Sequence, residues 1–276
     1  MKSFFKKHLD SYLDYMQNVQ KYSPNTIKTY KLNLLEALKY LGIENIDNNY
    51  EIDLLPYRAK LVGKNRKTIY KKVSITRTFI EYMREQDIDI VLKNDDNIKL
   101  SKTLPKPISF EYIKEVLEVS DSDDRLIVLL LYTLGLRISE LSSLKISDIK
   151  NGWVRINGKG GKIREVPLLD FVNDAYEDFL ALYNPSVYVF EYNGLKLNDN
   201  KLRYKLSKVF KKIGIKATPH QLRHSYATDL LNAGARITDV SELLGHASLE
   251  TTQIYTKLSS RLKMKNYKNA HPMCKE

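Results

Sequence analysis

The sequence predicts a mainly α chain in two parts: a helical N-terminal domain, then a mixed α/β domain of helices with a small antiparallel sheet. Three observations carry that prediction. Apolar residues recur at spacings of three and four through the first 93 residues. Residues 94–107, NDDNIKLSKTLPKP, are polar and charged, with Pro105 and Pro107 forcing extended geometry before Ile108. Beyond them two short strand-like runs, GWVRI (152–156) and KIREVPL (162–168), flank Gly158-Lys159-Gly160-Gly161, a hairpin signal. The expected division is therefore 1–93, a linker at 94–107, and 108–276 with a tail from about 259.

Taken in order, Phe4 or Phe5, Leu9, Tyr12 or Leu13 and Met16 form the stripe of a first helix. Ser23 and Pro24 suit the N-cap and first turn of a second, running to Leu41 and closed by Gly42. A third helix is expected near 50–61. In the fourth, Ile69, Val73, Thr76, Ile80 and Met83 recur at helical spacing. Lys60, Lys64, Arg66, Lys67, Lys71 and Lys72 lie just before and on it with no acid between 60 and 72, and Lys64, Lys67 and Lys71 are expected to share a face. In the second part, Ser109 caps a helix through Val119, and a buried helix runs from about Asp124 to Thr133. Arg137 follows the break at Gly135, with Glu140 in reach as an i,i+3 partner. A less regular strand is expected at Val187–Glu191. The helix expected over Asp199–Ile213 carries Lys201, Arg203, Lys205, Lys208, Lys211 and Lys212.

Composition narrows the classes. The formal charge is +12 and the pI about 9.4, which points to a polyanionic partner rather than to any fold. The single cysteine, Cys274, excludes an intramolecular disulfide and indicates a reducing compartment. The longest apolar run, Leu126 to Leu136, is broken by Tyr132, Thr133 and Gly135 and is too short to span a bilayer. Charges run through the N-terminus where a signal peptide needs its apolar core, so a cytoplasmic, membrane-free protein is expected. No GxxxxGK[ST] phosphate loop is present.

Residues 218–258 hold the densest chemistry. Thr218, Pro219 and Gln221 suit an N-cap, first helical position and reciprocal cap, opening a helix that ends near Gly234. His220 and Arg223 project from one face of it, and Leu222, Tyr226 and Leu230 mark the apolar face. A further helix starts at Thr238 and stops at Gly245, placing His246 just past its end. Ser248 caps a third, with Tyr255 about two turns in. Singly, each residue has a plain reading: a solvated pair on a helix-turn-helix, a capping histidine, one packing tyrosine among 19.

Jointly, HQLRH, LLGH and a tyrosine nine residues after that histidine resemble the tyrosine recombinase (integrase) family. Gly135-Leu136-Arg137-Ile138-Ser139-Glu140-Leu141 and Asn157-Gly158-Lys159-Gly160 match the upstream half of its motif set. The resemblance implies a core-binding (SAM-like) N-terminal domain and a C-terminal catalytic domain. It makes Arg137, Lys159, His220, Arg223, His246 and Tyr255 the catalytic set, with Glu140 supporting Arg137. Two always-charged guanidinium forks suit the non-bridging phosphate oxygens. Tyr255 becomes the nucleophile, His220 its proton acceptor and Lys159 the donor to the departing 5′-oxygen. It also turns Lys64, Lys67, Lys71, Lys72, Arg203 and Lys205 into expected DNA contacts.

No metal or other cofactor is implied. The tail, with Tyr267 and Ala270-His271-Pro272, is similar to that of Xer-type recombinases, which resolve chromosome dimers, often under a DNA translocase. Asp229 departs from the His usual there. The expected partners are thus double-stranded DNA bearing a specific site, three further copies in a tetramer on two sites, and a translocase. In that tetramer the tail, with apolar Leu258, Leu262 and Tyr267, would dock on a neighbour. The alternatives are a mobile-element integrase with the same chemistry, and a non-catalytic helix-turn-helix regulator that would need neither Arg137, Lys159 nor Tyr255.

Overall fold

Residues 2–46, 49–96, 98, 106–158 and 161–245 are described by the structure, a computed structural model, which falls into two units, Met1–Thr103 and Leu104–Glu276. Each unit closes around its own apolar core.

In the first unit α1 (Lys2–Asn18) buries Phe5, Leu9, Tyr12, Leu13 and Met16, so Phe5 rather than Phe4 takes the core position. The Ser23 hydroxyl accepts the Thr26 N–H to start α2 (Pro24–Tyr40). Gly42 does not close that helix but opens β1 (Gly42–Ile46), which pairs antiparallel with β2 (Asn49–Asp53). The helix expected over 50–61 is therefore only α3 (Leu55–Lys60). Two physical causes separate the halves. Pro56 fits only the first turn of a helix, and Ile52 is buried as the inward residue of a central strand. Asn65 caps α4 (Arg66–Arg84) by accepting the Lys67 N–H at 2.7 Å, and Val73, Thr76, Ile80 and Met83 are buried as their spacing predicts. β3 (Ile90–Lys93) then runs parallel to β2, completing a small mixed sheet that the sequence reading lacked.

In the second unit Ser109 sits at the N-cap of α5 (Phe110–Glu118), and α6 (Ser122–Thr133) follows. Leu126 to Leu131 are buried on every side of α6 because α5, α8, α9 and α10 all pack against it. Next come α7 (Ile138–Ser142), a 3-10 turn at Ile146–Asp148, and an antiparallel sheet of β4 (Ile149–Lys150), β5 (Trp153–Asn157) and β6 (Ile163–Pro167). Helix α8 (Asp170–Tyr183) went unnoticed in the sequence, although Val172, Tyr176 and Phe179 are buried at the four-and-three spacing of a core-facing stripe.

The less regular strand expected at Val187–Glu191 is a short bridged segment. Tyr188 bridges antiparallel to Lys145, the Ile146 N–H donates to the Val187 carbonyl and the Val189 N–H to the Leu144 carbonyl, and Val189 and Phe190 are buried. Glu191 accepts the backbone N–H groups of Ser186, Val187 and Tyr188, and the short hairpin of β7 (Glu191–Tyr192) and β8 (Leu195–Lys196) begins there. The chain continues through α9 (Asp199–Lys212), α10 (Pro219–Asn232) and α11 (Ile237–Leu244). Thr218 caps α10 through its hydroxyl, which accepts the Gln221 N–H at 3.2 Å. That hydroxyl also donates to the Gln221 amide oxygen at 3.0 Å, in place of the reciprocal contact to backbone.

Candidate active site

Three segments far apart in sequence meet at Glu140. Gly135 ends the α6 turn at φ +57°, and a Cβ there would stand 2.5 Å from the Tyr226 ring. Only glycine therefore lets the chain bring Arg137 to the N-cap of α7. The Arg137 N–H donates to Glu140 Oε2 at 2.8 Å and its Nη1 to Oε1 at 2.7 Å. From β6, Arg164 forks onto the same carboxylate, Nη1 to Oε1 at 3.0 Å and Nη2 to Oε2 at 2.8 Å. From α10, Arg223 donates Nη1 to the Gly135 carbonyl at 2.6 Å and Nη2 to the Leu244 carbonyl at 2.5 Å. Its Nη1 stands 3.8 Å from Glu140 Oε2, an ion pair without a hydrogen bond.

Exposure separates the roles these side chains can take. Glu140 is 4% exposed, Arg164 and Arg223 each 7%, and Arg137 30%. Burial by itself would raise the Glu140 carboxyl. The hydrogen bonds from Arg164 and from the Arg137 N–H override it and hold the group at about 2. Three guanidiniums against one carboxylate leave the cluster with two net positive charges, an arrangement suited to a phosphate.

His220 lies in the first turn of α10. Burial, then the charges of Arg203, Arg223 and Arg137, depress its pKa below the ordinary 6.5, so it is neutral and able to accept a proton at pH 7.

The other predicted site residues are placed unequally. Gly158 N–H donates to the Lys162 carbonyl at 2.7 Å, closing the base of the hairpin turn. Lys159 on that turn, together with His246, Tyr255 and the tail, lies outside the described residues. Gly245 ends α11 in the left-handed conformation, φ 63°, one residue before His246. Gly158, Arg164 and Gly245 line one cleft of about 800 Å³.

Of the expected DNA contacts, Lys67 and Lys71 are exposed on α4, and Lys64 is exposed but precedes the helix, so the three do not form one helical face. Two expectations are corrected. Lys72 is paired with Glu36, and Lys205 with Asp123 and Asp124, both partly buried inside their own units. Arg203 is exposed, 3.8 Å from Asp199, and close enough to influence His220.

Arg164 was missed in the sequence. Its signal was an arginine in phase with Val166 on the inward face of a strand, while Ile163 beside it is exposed. Among the described residues no group of three or more His, Cys, Asp or Glu could hold a metal ion, and no helix is long and apolar enough to cross a membrane.

Comparison with known proteins bears on this geometry. The Phage integrase family matches residues 107–261, and the Phage integrase N-terminal SAM-like domain matches 9–87. The chain is 34% identical over 292 residues to Tyrosine recombinase XerC of Bacillus pumilus, covering 95% of each. It is 38% identical over 265 residues to Tyrosine recombinase XerA of Pyrococcus furiosus, covering 92% of this chain and 90% of that one. Among solved structures it is similar to the XerH site-specific recombinase bound to palindromic difH substrate in a post-cleavage complex. There the TM-score is 0.73 at 25% identity, covering 94% of this chain and 83% of that one.

Proposed function

The chain belongs to the phage integrase family of tyrosine recombinases, and from that premise we propose that it is a Xer-type recombinase cutting and rejoining DNA at a dedicated site. The observation that carries this reading is the cluster of Arg137, Arg164 and Arg223 around buried Glu140, with neutral His220 in its field.

In the proposed reaction Arg137 and Arg223, joined by His246, bind the non-bridging oxygens of the scissile phosphate. The Tyr255 oxygen attacks phosphorus as its proton passes to His220. The bond from phosphorus to the 5′-oxygen breaks, and that oxygen takes a proton from Lys159. A 3′-phosphotyrosine keeps the bond energy, so attack by a 5′-hydroxyl of another strand reseals the backbone without ATP. Each phosphate donor lost from such a preorganised site raises the barrier by about 3 kcal/mol. Lys64, Lys67 and Lys71 would add salt-sensitive affinity for the duplex rather than sequence choice.

Similarity to the XerC and XerA tyrosine recombinases supports a Xer-type role, chromosome dimer resolution, over mobile-element integration. We accordingly expect action in the cytoplasm as a tetramer on two sites, with a DNA translocase as a further partner. The helix-turn-helix regulator reading is disfavoured because α10, its first helix, commits Arg223 to the buried cluster.

Covalent capture tests the proposal. Wild-type protein incubated with fragmented genomic DNA of its source should give detergent-resistant adducts whose sequenced ends define one site. Tyr255→Phe should bind that site and give none. An adduct persisting in Tyr255→Phe would remove the assigned nucleophile.

A further inference from the structure

Arg164 is the cation that the assigned chemistry leaves unused, yet it makes the most complete contact with Glu140. Both of its terminal nitrogens meet both carboxylate oxygens, at 3.0 and 2.8 Å, and the two side chains are 7% and 4% exposed. Arg137 spends one guanidinium nitrogen on the same carboxylate, while Arg223 stays 3.8 Å away and is held by the carbonyls of Gly135 and Leu244 instead. The Arg164 side chain also fills the space beside two glycines. A Cβ at Gly245 would lie 3.2 Å from its Cδ, and one at Gly158 would lie 3.7 Å from its Nη1.

Without Arg164, a buried carboxylate would be left with one hydrogen-bonded cation, and an under-compensated buried charge draws in the nearest partner. That partner is Arg223. A full ion pair there would pull its guanidinium off both carbonyls and tie it to Glu140. Loss of the Arg164 cation itself also cuts the net charge of the cluster from two to one. A phosphodiester carries one negative charge and the pentacovalent transition state two, so the loss falls mainly on the transition state.

We propose that Arg164 is a positioning residue for the phosphate site: by forking onto Glu140 it keeps that carboxylate from capturing Arg223 and preserves a cluster charge matched to the transition state. The inference rests on the recombinase reading above and adds a residue to it.

The test uses full-length protein and the DNA fragment recovered by covalent capture, nicked beside the scissile phosphate so that adducts accumulate. Arg164→Gln should bind this DNA within about 3-fold of wild type yet form adduct about 100-fold more slowly. Adding Glu140→Gln removes the carboxylate that would capture Arg223, so the double variant should cleave faster than Arg164→Gln alone, by about 10-fold. A purely structural role predicts the reverse, two core lesions adding up. A double variant no faster than the single, or an Arg164→Gln single as fast as wild type, overturns the inference.

Thermal melts establish that each variant is folded. Should Arg164→Gln fail to fold, the similarly long but uncharged Arg164→Met carries the same comparison, and Glu140→Gln must speed cleavage in that background too. Wild-type protein that forms no adduct on any DNA would sink the recombinase reading itself. Wild-type adduct with an indifferent Arg164 sinks only this inference.

Discussion

Glu140 is a single carboxylate on which the second unit depends. Replacing it with alanine leaves Arg164 and Arg223 buried without their counter-charge, and chemical denaturation should show a loss of about 3–5 kcal/mol. Its folded value of about 2 lies below the ordinary 4.5. The stabilisation it gives is therefore complete above pH 4.5 and lost as the pH falls toward 2, a trend that acid titration of the melt would follow. His220 shifts downward for a different reason, burial among arginines. Its NMR titration midpoint should lie below 6.5 and rise when Arg203→Gln removes one of those charges. At this scale the sequence was informative wherever spacing along one helix sufficed. His220 and Arg223, and Arg137 with Glu140, are three residues apart. Arg164 meets Glu140 across 24 residues and two kinds of secondary structure, beyond the reach of any helical or strand period.

The elements show the same division. Capping residues marked α2, α5 and α10 within a residue or two because the chemistry of a helix start is local. The mixed sheet of β1, β2 and β3 was invisible because strands of four or five residues carry too little alternation to outvote a neighbouring helix signal. Gly135 is the element-scale hinge of the site. Gly135→Ala forces a left-handed residue with a Cβ into the Tyr226 ring. We expect a loss of about 1–3 kcal/mol in the melt, together with slower adduct formation because Arg137 is displaced with the backbone. A variant unchanged in both would show that the turn adapts.

At the scale of the whole molecule, each unit holds its own apolar clusters, one in the first and two in the second among the described residues, which implies two separately folding pieces. Fragments 1–103 and 104–276 should each give a cooperative melt by circular dichroism, and only the larger should retain the His220 titration. Cleavage by the full chain should persist in excess chelator, since arginines fill the role proposed for phosphate recognition; loss with chelator and return with magnesium would contradict it. The arrangement around Arg223 also sets an order in time. Its two carbonyl partners lie 88 residues before it and 21 after it. At the pace of a ribosome, on the order of 10 s separates the arrival of Gly135 from that of Leu244. Arg223 is made only near the end of that interval, and it then holds the Gly135 carbonyl but lacks its second one until Leu244 follows 21 residues later. On the recombinase reading proposed above, a growing polypeptide therefore gains its complete phosphate cluster only after α11 has been made.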